Sequence, residues 1–461
     1  MPDSCDGVGE KSDFGADRKP ALRRELGLRD LVLFSIAGLI GTRWLAAAAH
    51  TGPGSVSLWI LAVVFFFIPS AICIARLSAI YPEEGGLYVW TKASFGEWHG
   101  FLCFWLYWVG LAFWFPSFLM AVTSMTSYAF APQLAEDRWY VLPASMLLLW
   151  IAIGANLVGL RIGKWLDNIG GLASYGLGVM LIVLAAIVFL RHGTATPMHI
   201  WPKWNLHRVN FWSQIAYGIT GLELAPVLGG EIRDPRRNLP ISSYIAAPLV
   251  AAWYVVGTLA LLVILPPAKV SPLNGITQVV AAAGNSLGLR WLILLAVAMI
   301  VLAALGQLSV MGSVGARLPF VVGADAYLPK ALAKIHPRWH TPYVAILFLG
   351  LLASFFLIVA QLGETARAAY QTITDLMVLG GFIPFIYIFL SAWKCGVRAS
   401  AISGLAVTAI ALGTALIPTA EVHVWLFEIK LVGGTAVLIV TARILFMYYR
   451  SRIAMSTTTE Q

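Results

Sequence analysis

SIAGLIGTRW, residues 35–44, and QIAYGITGLELAP, residues 214–226, decide the fold. Each sets a Gly-x-x-Gly inside an apolar stretch: Gly38 and Gly41 in the first, Gly218 and Gly221 in the second, where Pro226 follows. Glycine costs a helix interior about 1 kcal/mol and proline about 3 kcal/mol, so both stretches predict an interrupted helix. Interrupted membrane helices at corresponding places in two repeats expose backbone groups that hold a solute. A single Gly-x-x-Gly reads equally well as a close-packing face. The pair, with its polar neighbours, favours a site.

Outward from these breaks the chain is apolar. Its 461 residues are 59% hydrophobic and 11% charged, against roughly 25% charged in soluble domains, and mean hydropathy is +0.81. A bilayer core takes about 20 apolar residues per helix. About twelve such spans are predicted, at 31–50, 58–80, 100–130, 139–158, 168–190, 212–230, 244–265, 289–312, 343–361, 370–393, 399–418 and 424–449. The breaks fall in spans 1 and 6. Five is odd, so these two spans enter from opposite sides, and spans 6–10 would repeat spans 1–5 upside down. The expected organisation is a tail at 1–28, a transmembrane domain at 29–450 with repeats near 31–190 and 212–393, and a tail at 451–461. No small-residue cleavage site follows the first apolar segment, so it reads as an anchored helix.

Lys and Arg concentrate on the cytoplasmic side of membrane proteins. Of the 31 in this chain, 20 fall on the side of the N-terminus and 8 on the other, which places both termini in the cytoplasm of a multi-pass protein of the cell membrane. The same asymmetry accounts for the net charge of +9 through anionic lipid, with no nucleic acid partner. Cys5, Cys73, Cys103 and Cys395 suit neither a disulfide nor a metal site. The eight histidines fall in loops or at helix ends, so no nucleophile–base pair gathers at one depth, and an enzyme is excluded.

Four motifs, in order, resemble the amino acid–polyamine–organocation (APC) transporters. They are IAGLIGTRW in span 1, YPEEGGLYVWTKASFG at 81–96, GLELAPVLGGEIRDPRRNLP at 221–240, and ARLPFVVGADAYLPKALAKIHPRWHTPYVA at 316–345, the last resembling a cytoplasmic helix before span 9. An Arg in the first break, FFFIP at 65–69 and WFPS at 114–117 look nearer to the glutamate/γ-aminobutyrate antiporter branch. The resemblance implies an all-α membrane protein with a LeuT-like 5+5 inverted repeat plus two extra helices. It implies a permease for amino acids or related compounds, working by alternating access with protons or by exchange. A polyamine exchanger, or a transport-incompetent sensor on the same fold, is the alternative. The implied partners are an amino acid, protons and membrane lipid; no cofactor is implied.

Carried over by position, Gly38, Gly41 and Thr42 would bind the substrate carboxylate through freed N–H groups. Gly218, Ile219 and Gly221 would offer carbonyls to its amino group, with Tyr217 beside them. Arg43 departs from the family, which has glycine there. It lies about 12 residues and so roughly 18 Å into span 1, where arginine costs about 2.5–3.5 kcal/mol unless it meets a partner or water. It either grips an anionic substrate or pairs with a protein acid. Glu223 in the span 6 break is the first such acid, and Asp375, nearer a wet helix end, is the second. Glu223 either carries protons or hydrogen-bonds neighbouring backbone, and Asp375 is the second candidate for proton coupling or gating. Gln307, Ser309 and Ser313 offer oxygens to a hard cation, though such groups more often bond neighbouring helices. Arg76 either snorkels or joins a gate network with Glu231. Trp44, Tyr107, Trp108 and Trp114 are further candidates for the pocket wall.

Overall fold

Span 1 consists of two helices, α1 (Leu28–Leu39) and α2 (Thr42–Thr51), bent by 41° where Ile40 and Gly41 turn extended. The computed structural model describes residues 24–135, 137–199, 201, 206–360, 366–417 and 432–459. Most of the expected N-terminal tail and the first part of the twelfth span lie outside these.

Span 2 is α3 (Gly54–Ile80), with a π-helical turn at Val63–Phe67. The short α4 (Leu87–Phe95) leads into α5 (Glu97–Phe130), and α6 (Arg138–Val158) starts where the Asp137 carboxylate accepts the Trp139 N–H. Span 5 is α7 (Leu160–His192). Span 6 is broken: α8 (Leu206–Gly218) and the single turn α9 (Leu224–Val227) are separated by Ile219 to Glu223. Then come α10 (Pro235–Ile264), the short α11 (Gly275–Leu287), α12 (Leu292–Ala324), α13 (Tyr343–Ala360), α14 (Ala366–Lys394), α15 (Arg398–Ala415) and α16 (Gly434–Thr459).

Among the described residues, eight helices are long and apolar enough to cross a bilayer and the bent pair α1–α2 makes a ninth. The broken span 6, the shorter apolar α13 and α16 occupy the other expected places. Large apolar side chains face outward, among them Phe65, Leu172, Leu351 and Phe355, each more than half exposed, as lipid-facing surfaces require.

Several boundaries differ from the sequence reading. Span 8 runs on to Ala324, so residues 316–324 continue that span and form no separate helix, and Arg317 lies inside it. The charge is tolerated because Arg317 Nε and Nη2 meet the Glu231 carboxylate at 2.7 and 3.1 Å and Nη1 donates to the Ser313 carbonyl. Glu231 therefore pairs with Arg317, whereas Arg76 is exposed. Span 5 begins at Leu160, which brings Asp167 into it, and α16 continues past 450.

Small residues bring three spans together. A Cβ on Gly170 would lie 2.6 Å from Gly306 Cα, and one on Gly171 would lie 3.1 Å from the Leu33 carbonyl, so spans 1, 5 and 8 touch backbone to backbone. The segment before α1 is tied to the segment after α9: Glu25 N–H donates to the Glu231 carbonyl and Arg233 N–H to the Leu26 carbonyl, each at 2.9 Å. The outer ends of the two broken spans are thus joined on the N-terminal side.

Candidate functional site

At the span 1 break, helix-end backbone groups find partners on spans 7 and 8. Tyr254 Oη donates to the Leu39 carbonyl at 2.7 Å and accepts the Gly41 N–H at 2.9 Å. Gln307 Nε2 donates to the Gly38 carbonyl at 3.0 Å. Trp59 stacks on Tyr254 with centroids 4.5 Å apart and anchors its own Nε1 on Thr258. Gly41 must be glycine because a Cβ there would meet the Trp44 ring at 2.5 Å.

At the span 6 break, Gly221 has φ +130°, a backbone conformation that side chains oppose. The Glu223 carboxylate accepts the Gly221 N–H at 2.9 Å on Oε2, and the Tyr107 hydroxyl donates to Oε1 at 2.9 Å. Thr220 N–H and Oγ1 both donate to the Tyr217 carbonyl. The two breaks touch: a Cβ on Gly221 would lie 3.0 Å from the Leu39 side chain, and one on Gly38 would lie 3.1 Å from Leu224.

Between them is a cavity of about 40 Å³, room for two or three waters. Gly38, Leu39 and Trp44 of span 1 line it, with Tyr107, Leu111 and Trp114 of span 3 and Gln307 and Met311 of span 8. Span 6 contributes Tyr217, Gly218, Thr220, Gly221, Glu223 and Leu224. Of the residues expected from the sequence, Gly38, Tyr217, Gly218, Gly221 and Glu223 are brought together here. Ile219 is fully buried away from the wall, Gly41 turns to Tyr254, and the Thr42 hydroxyl lies 4.0 Å from the Met125 sulfur.

Arg43 sits behind the wall, 1% exposed. Its Nη1 donates to Ser117 Oγ at 2.6 Å, its Nη2 reaches the Met377 sulfur at 3.5 Å, and the Tyr370 phenol lies close. The Trp44 ring centroid is 4.4 Å from Cζ, with Trp114 and Phe118 at 5.8 and 5.9 Å, in cation–π range. No carboxylate among the described residues forms an ion pair with it. In this conformation Arg43 and Glu223 are apart, each with its own partners.

Asp375 is also off the wall. It is 1% exposed, so the wet helix end read from its position is a buried place, and Oδ1 accepts from Gln214 Nε2 at 3.2 Å. Ser313 Oγ donates to Asn156, and Trp108 Nε1 donates to the Gly315 carbonyl and packs off the wall. Sequence reasoning missed Tyr254 and Thr220; a lone Tyr in an apolar run carries no signal that separates a backbone clamp from packing. At the edge of the bundle, Lys92 Nζ and Tyr88 Oη both reach Asp325 Oδ2, at 2.7 and 2.8 Å, fixing α4 to the end of α12. Burial first, and Asp325 second, hold the Tyr88 phenol well above its ordinary pKa, so it remains a donor.

The fold matches the crystal structure of MhsT in complex with L-phenylalanine with a TM-score of 0.61 at 14% identity, covering 88% of this chain and all of that one. An uncharacterised transporter of Legionella pneumophila is 25% identical over 439 residues, 89% of this chain and 94% of its own length. A probable agmatine/putrescine antiporter of Lactococcus lactis, AguD, is 25% identical over 76% of this chain and 75% of its own length. The branched-chain amino acid permease BcaP of Bacillus subtilis is 25% identical over 75% and 77%. The pattern of the amino acid permease family matches residues 26–451. The chain therefore belongs to the amino acid permease family, as an integral membrane carrier with the LeuT-like inverted-repeat fold.

Proposed function

We propose that the cargo is an amino acid whose carboxylate is taken by Arg43 and the first-turn N–H groups of α2, at Thr42 and Arg43, and whose amino group faces Glu223 and the freed carbonyls of span 6. Gly41 joins the carboxylate site when Tyr254 releases its N–H. The cavity between the breaks widens as the two broken spans rock, and the cargo passes by proton-coupled import or by exchange. The protein sits in the plasma membrane with both termini cytoplasmic, a reading supported by the Lys and Arg asymmetry.

The observation that carries the proposal is Arg43. A cation that is 1% exposed and held by two hydroxyls, a thioether and aromatic faces, with no paired carboxylate among the described residues, is under-compensated, and an anion entering beside it gains a charge-assisted bond. Amines lacking a carboxylate meet an uncompensated like charge there, so polyamines are disfavoured.

Counterflow in proteoliposomes with a panel of labelled amino acids tests this. Arg43→Ala is expected to weaken uptake at least tenfold, in line with the roughly 1.5–3 kcal/mol of a hydrogen bond to a charged group, with Arg43→Lys in between. Wild-type uptake by Arg43→Ala across the panel contradicts the proposal.

A further inference from the structure

Among the described residues four acids are nearly fully buried, and three of them have donors. Glu223 accepts from Tyr107 and Gly221, Glu231 from Arg317, and Asp375 from Gln214. Asp167, on α7, is 2% exposed, and neither of its oxygens forms a hydrogen bond of ordinary geometry among the described residues. Facing it from α12 is Ser309, itself fully buried with an unpartnered hydroxyl. Two unpartnered polar side chains thus meet between spans 5 and 8.

Among the described residues, the charged groups around Asp167 do not supply a counter-ion, and Arg29 of α1 is exposed. From α12, Arg317 acts on it, but that guanidinium is committed to both Glu231 oxygens and the Ser313 carbonyl. From α1, Asp30 acts with the same sign and is itself bonded to the Gly27 N–H. On α7, Lys164 is half-buried. The charges of α10, Arg236 and Arg237, are exposed, and α6 has only Arg138, at its other end. An unpaired carboxylate taken out of water is disfavoured even after the surroundings relax. A bound proton removes the charge.

We infer that the Asp167 carboxyl, facing Ser309 beneath the inner half of span 1, is the proton-binding site of this carrier. The lid over it is α1, which touches α7 one turn further along at Gly171 and Leu33 and is separated from α2 by the 41° bend. A helix joined through such a break swings as a unit. When α1 swings away, water reaches Asp167, its O–H bond breaks, and the proton leaves to water on the N-terminal side while the carboxylate stays hydrated. Closure of α1 requires that a proton return. The inference rests on the proposed amino acid transport only for the cargo used to read it.

The test uses the full chain in proteoliposomes and Asp167→Asn, which keeps the shape of the protonated group. The wild type accumulates substrate under an imposed pH gradient and moves protons with it, read by a pH-sensitive dye. Asp167→Asn loses accumulation and the dye signal at least tenfold while counterflow persists. Accumulation by Asp167→Asn at the wild-type level, or wild-type uptake that moves no protons, overturns the inference. Ser309→Ala covers failure of Asp167→Asn to fold: it shifts the pH midpoint of accumulation, and an unmoved midpoint overturns the inference. Infrared spectroscopy needs no cargo. A buried protonated-carboxyl band in the wild type that vanishes in Asp167→Asn supports the site, and its absence from the wild type overturns it whatever the substrate. Failure of the carboxylate-substrate reading shows separately, as absence of amino acid counterflow.

Discussion

Tyr254 holds the span 1 break by donating to the Leu39 carbonyl and accepting the Gly41 N–H, and Glu223 serves the span 6 break by accepting the Gly221 N–H. One side chain in each case stands in for the helical partner that the extended residues lost. Tyr254→Phe strips both bonds, and a buried backbone group left unpaired costs about 1–3 kcal/mol. A thermal-shift assay in detergent is expected to show a lower Tm for this variant, and an unchanged Tm speaks against the clamp. Residue roles were legible in unequal measure. Arg43 stood out because a charge at that depth needs an explanation. Tyr254 did not, since its hydroxyl is ordinary in a span and its partner lies 215 positions away. Asp167 escaped notice because the predicted start of span 5 at 168 left it in a loop, whereas α7 begins at Leu160.

At the scale of elements, the paired Gly-x-x-Gly breaks announced spans 1 and 6, and both are broken there. Span ends were harder to read, because a charge with a buried partner can lie inside a span. Arg317 lies inside α12 because Glu231, brought by the turn after α9, neutralises it through two hydrogen bonds. This pair also links the foot of span 6 to span 8. Removing one partner of a buried pair costs about 3–5 kcal/mol, whereas removing both costs much less than the sum. Glu231→Ala and Arg317→Ala are each expected to lower Tm strongly and the double variant to be far from additive. Additive losses in a double-mutant cycle would show that the pair does not act as a unit.

For the whole molecule, two broken spans of opposite direction meet at a cavity of about 40 Å³, tied on one side by the pairing of Leu26 with Ile232. The run of apolar spans and the two interrupted ones were readable because hydropathy and the paired Gly-x-x-Gly are global patterns that local errors do not erase. The state of the cavity was not readable, since it depends on how Trp44, Tyr217 and Trp114 close over it. On the proposed function, a carboxylate on the cargo answers the buried charge of Arg43. Counterflow by the wild-type chain with matched pairs, each amino acid against the amine left when its carboxylate is removed, tests it most directly. Exchange of at least one amino acid whose matched amine neither exchanges nor competes is the predicted result. An amine that exchanges as well as its parent amino acid contradicts the account.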